Sequence, residues 1–383
     1  MNTLSNVVLK YDGLMIYLDY SATTPIDPRV VSKWVSVEQT YFANANSDHV
    51  LGRESKRVND ESIRIIADFF KVQPKEVIVT SSAVESNNTA IKGLALKYPD
   101  KKHIITSALE HASLIGALGF LQSSSYDIET LGLDDEGRYD LKQLDQMIRP
   151  DTLLVTLIGV DSETGIRQPI EEAAKIVHQH SVFFHSDITQ LVGKSRFDLT
   201  DIDLATASAH KVYGPKGVGI LIKKAKVPLI PLLHGGHSFT PYRASTPQNG
   251  LVAAMAESFR LADLEFDERI HKVQALNAYL RKQLESIPEV HFNSNAYSIP
   301  HLFNISIQGS RPESGLAYYS DHGLCLSSKS ACSGQEELSS SVYAITKDTA
   351  LASSSYRISL SHLTTFEELD TLVNVTKAYL KTL

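Results

Sequence analysis

The chain has 383 residues, 43% of them hydrophobic, and a formal net charge of -7. That is a globular composition with about two or three domains' worth of core, too acidic for bulk nucleic-acid binding. The most apolar run, 153–160, is far too short for a membrane span, residues 1–10 lack the basic-then-apolar pattern of a secretory signal, and two cysteines, Cys325 and Cys332, make no disulfide framework and suit a reducing cytoplasm.

In chain order, residues 16–25 read as a short extended segment and a turn, and Pro28 to Thr40 as a first helix. A loop over 42–49 leads to a long helix near Arg53 to Phe70. Between Val77 and Leu221, β-rich runs at 77–80, 103–106, 127–131, 152–158, 182–185, 204–207 and 218–222 alternate with amphipathic stretches at 85–97, 112–122, 141–148 and 171–180. This alternation predicts an α/β fold with a mostly parallel sheet of these seven strands, flanked by helices. Residues 228–250 form a polar, glycine-containing segment without periodicity, a length that marks a functional loop or a linker. Residues 251–287 read as one long or broken helix, with a domain boundary near 260 and a smaller α+β domain after it. No repeat or low-complexity tract interrupts the pattern.

Two short segments carry chemistry. Lys211 lies in Ala207-Ser208-Ala209-His210-Lys211-Val212-Tyr213-Gly214-Pro215-Lys216-Gly217, between two apolar strands. Lysine seldom enters an interior unless it is paired or used, and one use is a Schiff base. Upstream, Asp187 follows a buried strand in His185-Ser186-Asp187-Ile188-Thr189-Gln190. A lysine for the aldehyde and a carboxylate for the ring nitrogen are the two groups a pyridoxal phosphate enzyme must supply. A third segment, Thr80-Ser81-Ser82-Ala83-Val84-Glu85, is a strand, a turn and a helix start, where backbone N–H groups can take a phosphate.

The Ser-x-His-Lys-x-Tyr-Gly-Pro-Lys-Gly and His-x-Asp-x-x-Gln runs resemble cysteine desulfurases of the NifS/IscS type, in the class V group of fold-type I pyridoxal phosphate enzymes. The resemblance runs from about Ile16 to Tyr379. It implies a large cofactor-binding domain over 16–260 and a small domain, 1–15 with 261–383, carrying a mobile cysteine loop. It implies Lys211, Cys332 and His111 as catalytic residues, with His111 stacked on the ring. Ala83, Val84, Asp187, Gln190, Ser208, His210 and Thr246 would complete the cofactor site, with Gln190 on the ring hydroxyl and Thr246 reaching the neighbouring subunit's phosphate in a homodimer. Ser162 and Arg357 would hold the carboxylate of L-cysteine, and no metal is implied. Cys332, in Ser327-Ser328-Lys329-Ser330-Ala331-Cys332, would attack the substrate's sulfur and keep it as a persulfide, with L-alanine as co-product. The sulfur would pass to an acceptor protein, an iron–sulfur scaffold or a tRNA-thiolation enzyme, without direct nucleic-acid or membrane contact.

Several positions depart from the family pattern. Val84 replaces a threonine that helps hold phosphate, and Ser162 replaces an asparagine. His237-Ser238-Phe239-Thr240-Pro241 lacks the family's glutamate and first arginine, Lys329 replaces a glycine, and Leu338-Ser339-Ser340 replaces Glu-Pro-Ser. These departures leave two other readings open: a class V relative acting on another amino acid, such as a selenocysteine lyase or aminotransferase, and a non-catalytic member serving as a binding subunit.

Overall fold

The computed structural model describes residues 15–236, 240–329 and 338–383. Strand β1 (Ile16–Tyr17) is followed by helices α1 (Pro28–Thr40) and α2 (Val50–Phe70), then β2 (Val77–Thr80), α3 (Ala83–Lys97), β3 (His103–Ser107), α4 (Ala112–Gln122) and β4 (Asp127–Leu131). Next come α5 (Leu141–Met147), β5 (Thr152–Thr156), α6 (Ile170–Gln179), β6 (Phe183–Asp187), β7 (Leu204–Ser208) and β8 (Gly219–Lys223). Helices α7 (Asn249–Leu264) and α8 (Phe266–Leu284) lead to β9 (Val290–Phe292), β10 (Leu302–Ile307), α9 (Pro312–Asp321), β11 (Leu324–Cys325), α10 (Ser340–Thr346), α11 (Thr349–Ser353), β12 (Ser355–Ser359) and α12 (Phe366–Leu380).

The first sheet has seven strands in the order β2-β8-β7-β6-β5-β3-β4. Only β8 runs against the others, pairing antiparallel with both β2 and β7. Its central strands are buried on both faces, as a sheet covered by helices on two sides requires. Two hydrophobic clusters result, one including Val155, Phe184 and Ile220 and the other Ile104, Leu154 and Leu221. The expected α/β layout is therefore present.

A second cluster of elements surrounds the antiparallel sheet β12-β10-β9. Leu276 and Leu280 of α8, Tyr319 of α9, and Leu369 and Leu372 of α12 pack on it. Ile16 and Leu18 join this cluster too, because β1 pairs in parallel with β11. Both residues lie within the 16–260 range that the family resemblance implies for the large domain.

Local chemistry explains where the helices begin. Asp27 caps α1 by accepting from the Arg29 N–H at 2.9 Å, with Pro28 in the first turn. The second helix starts three residues before the expected Arg53, because the His49 ring caps it through the Gly52 N–H at 3.2 Å. Of the two forms expected over 251–287, one long helix or a broken one, the structure has the broken one, interrupted at Glu265, whose carboxylate holds Arg29 from α1 and Arg269 from α8.

Candidate active site

Every segment singled out on the first sheet leaves it at the carboxyl end of a strand. The turn 81–82 follows β2, His111 follows β3, Ser162 follows β5, Gln190 follows β6 and Lys211 follows β7. That edge is where open α/β sheets place their ligands. Ser21, Ala22, Ser82, Ala83, Val84, His111, Ile158, Ser162, Asp187, Thr189, Gln190, His210, Lys211 and Arg357 line a single cavity there, of about 200 Å³.

Lys211 ends a single helical turn after β7. Its Nζ donates to the carbonyl of Ser21 and, at 2.8 Å, to that of Ala22. The segment before α1 is stitched to the lysine loop: Thr24 N–H donates to His210 O at 2.9 Å, and Tyr213 N–H to Thr24 Oγ1 at 2.8 Å. His210 also lies near Thr23 Oγ1, at 3.1 Å. Burial, with Lys211 and Lys216 nearby, lowers the His210 pKa to about 4, so its ring is neutral at pH 7.

Asp187 closes β6 and is 3% exposed. One carboxylate oxygen accepts from Asn87 Nδ2 at 2.9 Å and the other from the Thr189 N–H at 3.0 Å. Asn87 Nδ2 also donates to Ser113 Oγ at 2.9 Å. Ser113 in turn holds His111: its N–H donates to Nδ1 at 3.2 Å and its hydroxyl lies 2.8 Å from the same atom. Nδ1 is thus an acceptor, and the neutral ring carries its proton on Nε2. Burial lowers the His111 pKa, with Lys211 acting in the same direction and Asp187 against it. Asn87 and Ser113 were not singled out from the sequence. Asn87 lies 100 residues from Asp187, and only the packing of α3 over the sheet joins them.

At the other end, Ser82 caps α3 by accepting from the Glu85 N–H at 3.3 Å. The N–H groups of Ala83 and Val84 stand in the first turn, beside the cavity. A Cβ at Gly219 would lie 2.7 Å from the Ser82 carbonyl carbon, so glycine on β8 is what lets this turn approach. Glu85 pairs with Arg243 at 2.9 Å, tying the segment before α7 to the same helix start. That pair also escaped the sequence reading, its partners being 158 residues apart.

Arg357 comes from β12 and is 2% exposed. Its guanidinium donates to Asp19 Oδ1 at 2.9 Å, Ser327 Oγ at 2.8 Å and Ser162 O at 3.1 Å. Among the described residues its Nε has no hydrogen-bond partner. A cationic fork at the cavity edge with donor capacity left suits a carboxylate. Ser162 contributes its carbonyl to Arg357 and lines the cavity. Ser208 is buried at the end of β7 and Thr246 is exposed before α7; neither lines the cavity. Cys332 and residues 237–239 lie outside the described residues. Cys325 is half-buried on β11, with burial raising its thiol pKa.

These residues fit pyridoxal phosphate. The cavity offers an amine, a carboxylate held by two N–H donors and a helix N-terminus. Thr189 Oγ1, also in its wall, is buried with no hydrogen-bond partner among the described residues. A ligand with a polar ring substituent would satisfy that hydroxyl.

A family model described as aminotransferase class-V matches residues 16–372. A mitochondrial cysteine desulfurase of Eremothecium gossypii is 38% identical over 366 residues, covering 94% of this chain and 74% of the relative. The cysteine desulfurase IscS of Dechloromonas aromatica is 37% identical, covering 93% of this chain and 90% of the relative. Among solved structures, a NifS-like protein superposes with a TM-score of 0.91 at 28% identity, covering 96% of this chain and all of the other. The chain belongs to the class-V aminotransferase family and, within it, to the cysteine desulfurases.

Proposed function

We propose that this chain is a pyridoxal phosphate-dependent cysteine desulfurase that converts L-cysteine to L-alanine and keeps the sulfur as a persulfide on Cys332. The observation that carries this reading is one cavity lined by Lys211, Asp187, His111 and Arg357. Bound pyridoxal phosphate supplies an electron-accepting ring that takes up charge from the substrate's α-carbon. Lys211 anchors the cofactor and moves protons at its Nζ. Asp187 holds the proton on the ring nitrogen, fixed in place by Asn87 and Thr189. His111 covers the ring and offers its Nε2 proton. Ala83 and Val84 would take phosphate oxygens through backbone N–H groups, and Gln190 and His210 would make further polar contacts, whereas Ser208 lies outside the cavity lining. Arg357 and Ser162 receive the substrate carboxylate.

The sulfur step needs no outside oxidant. The Cys332 thiolate attacks the substrate's sulfur, its Cβ–S bond breaks and an S–S bond forms, while the carbon fragment takes a proton and leaves as alanine. One thiol and one L-cysteine give one persulfide and one L-alanine. Thr246, exposed on its own subunit, reaches the cofactor phosphate of a second copy in a homodimer. The persulfide then passes to an acceptor protein, for iron–sulfur assembly or for tRNA thiolation; the IscS names of relatives favour the first. The cytoplasm remains the proposed compartment on the cysteine count, although the fungal relative is named mitochondrial. Among the described residues no helix is long and apolar enough to cross a membrane.

Intact mass after incubation with L-cysteine tests the reading. The expected result is one added sulfur on Cys332 and an equivalent of alanine, both lost in Cys332→Ala. Alanine formed undiminished by Cys332→Ala would sink it, and would favour a class V relative that eliminates sulfur or selenium without an enzyme thiol.

A further inference from the structure

Lys194 follows Gln190 by four residues and is 7% exposed. Its Nζ donates to Gln190 Oε1, and among the described residues no carboxylate pairs with it. Gln190 Nε2 donates to Ser21 O at 3.0 Å, and the same carbonyl accepts from Lys211 Nζ. A hydrogen-bonded line therefore runs from Lys194 through Gln190 and Ser21 to Lys211. The charged or titratable groups around Lys194 include Lys211, Arg357, His210 and His301, and Tyr20, Tyr213, Arg269 and His362 line the same small cavity. Burial, with Lys211 and Arg357 added, lowers the Lys194 pKa to about 7. A lysine in such company is expensive to bury, and a well-packed methionine or leucine would be cheaper.

The chemistry of the amide explains the choice. A glutamine side chain accepts at one atom and donates at the other, and the partner on its far side decides which of them faces a cavity. An ammonium has only donors, and even the neutral amine keeps an N–H for Oε1. Lys194 therefore claims Oε1, which leaves the second N–H of Nε2 for the cavity that Gln190 lines.

We propose that Lys194 is a positioning residue that locks the Gln190 amide, so that Gln190 presents an N–H rather than a carbonyl to the anionic ring oxygen of the cofactor. A donor there keeps that oxygen ionised, whereas a reversed amide would set a carbonyl dipole against it. The inference rests on the pyridoxal phosphate reading above.

The test compares cofactor-loaded variants by the pH midpoint of the bound cofactor's visible absorbance, with borohydride reduction and peptide mass first locating the cofactor on Lys211. Lys194→Met raises the midpoint by about one pH unit, because losing the donor and losing a nearby cation both favour a proton on the Lys211 nitrogen. In a Gln190→Ala background the same substitution shifts the midpoint by less than half as much. Lys194→Arg, also a donor-only cation, stays close to wild type. Lys194→Gln carries the same expectation at reduced size should the methionine variant not fold. A labelled wild type with an unmoved midpoint in Lys194→Met, or with equal shifts in both backgrounds, overturns the inference alone. An unlabelled wild type overturns the parent reading and this inference together.

Discussion

Asp187 and Lys211 stand at the ends of neighbouring strands of the seven-stranded sheet, whereas Arg357 reaches the same cavity from the antiparallel sheet of the second cluster. The floor is set by ladder pairing and by cores that exclude water on both faces. The rim depends on contacts between residues far apart in sequence: Arg357 to Asp19, 338 residues away, and to Ser162, 195 away. The departures from the family pattern divide accordingly. None falls on Lys211, Asp187, Gln190 or His111; Val84 departs at the phosphate end of the cavity, where a backbone N–H needs no particular side chain, and Ser162 departs on the rim beside Arg357. On the proposed reading, the floor residues that keep the family pattern hold the cofactor, and the altered rim bears on substrate capture.

Breaking the floor is expected to cost most. Lys211→Ala removes the amine and lowers the rate of alanine formation from L-cysteine on the order of 10³-fold or more. A loss of only a few-fold in steady-state kinetics would show that the lysine is dispensable. Breaking the rim costs less and shows in KM. Arg357→Lys keeps the charge beside Asp19 but loses the planar fork, and should weaken L-cysteine binding by about 2 kcal/mol, roughly 30-fold in KM, with kcat little changed. A kcat effect without a KM effect would remove Arg357 from the carboxylate.

Sharpening the rim is a smaller change in the other direction. Ser162→Asn restores an amide where the family has one, and should raise kcat/KM for L-cysteine by about 1.4 kcal/mol, roughly tenfold. A neutral or harmful result would mean that the rim has been rebuilt for another substrate.

The smallest effect on activity concerns Glu110, buried beneath the floor. It accepts from the Ile158 N–H at 3.0 Å and from Ser107 Oγ at 2.7 Å. Burial pushes its pKa up to about 8. The folded carboxyl therefore holds its proton where the unfolded one has lost it. Its contribution to stability is fully present below about pH 4.5 and is lost as pH rises to about 8, a change on the order of 5 kcal/mol. Glu110→Gln lacks this slope. Its melting temperature relative to wild type should rise between pH 5 and pH 8, and a constant difference across that range would contradict the assignment.

Much of the floor was legible in the sequence because it is local. The apolar runs 204–207 and 218–222 bracket Lys211, and the run ending at His185 delivers Asp187. Helix starts were less legible, since His49 is an uncommon cap and its ring substitutes for the serine or aspartate that would have flagged Val50. What stayed hidden was the support between distant segments. Nothing in the sequence near Asn87 says that its amide will meet Asp187 and Ser113, and nothing near Asp19 says that it will receive Arg357. Such pairs exist only after the sheet has closed and the second cluster has docked.

The central claim is that the amine at position 211 carries the cofactor, in a cavity whose wall also holds a second buried lysine's partner, Gln190. Borohydride reduction of the cofactor-loaded protein, followed by peptide mass mapping, tests it directly. The account predicts the cofactor mass on the peptide containing Lys211 and on no other. A label on Lys194, or no label at all on a folded, yellow protein, would contradict it.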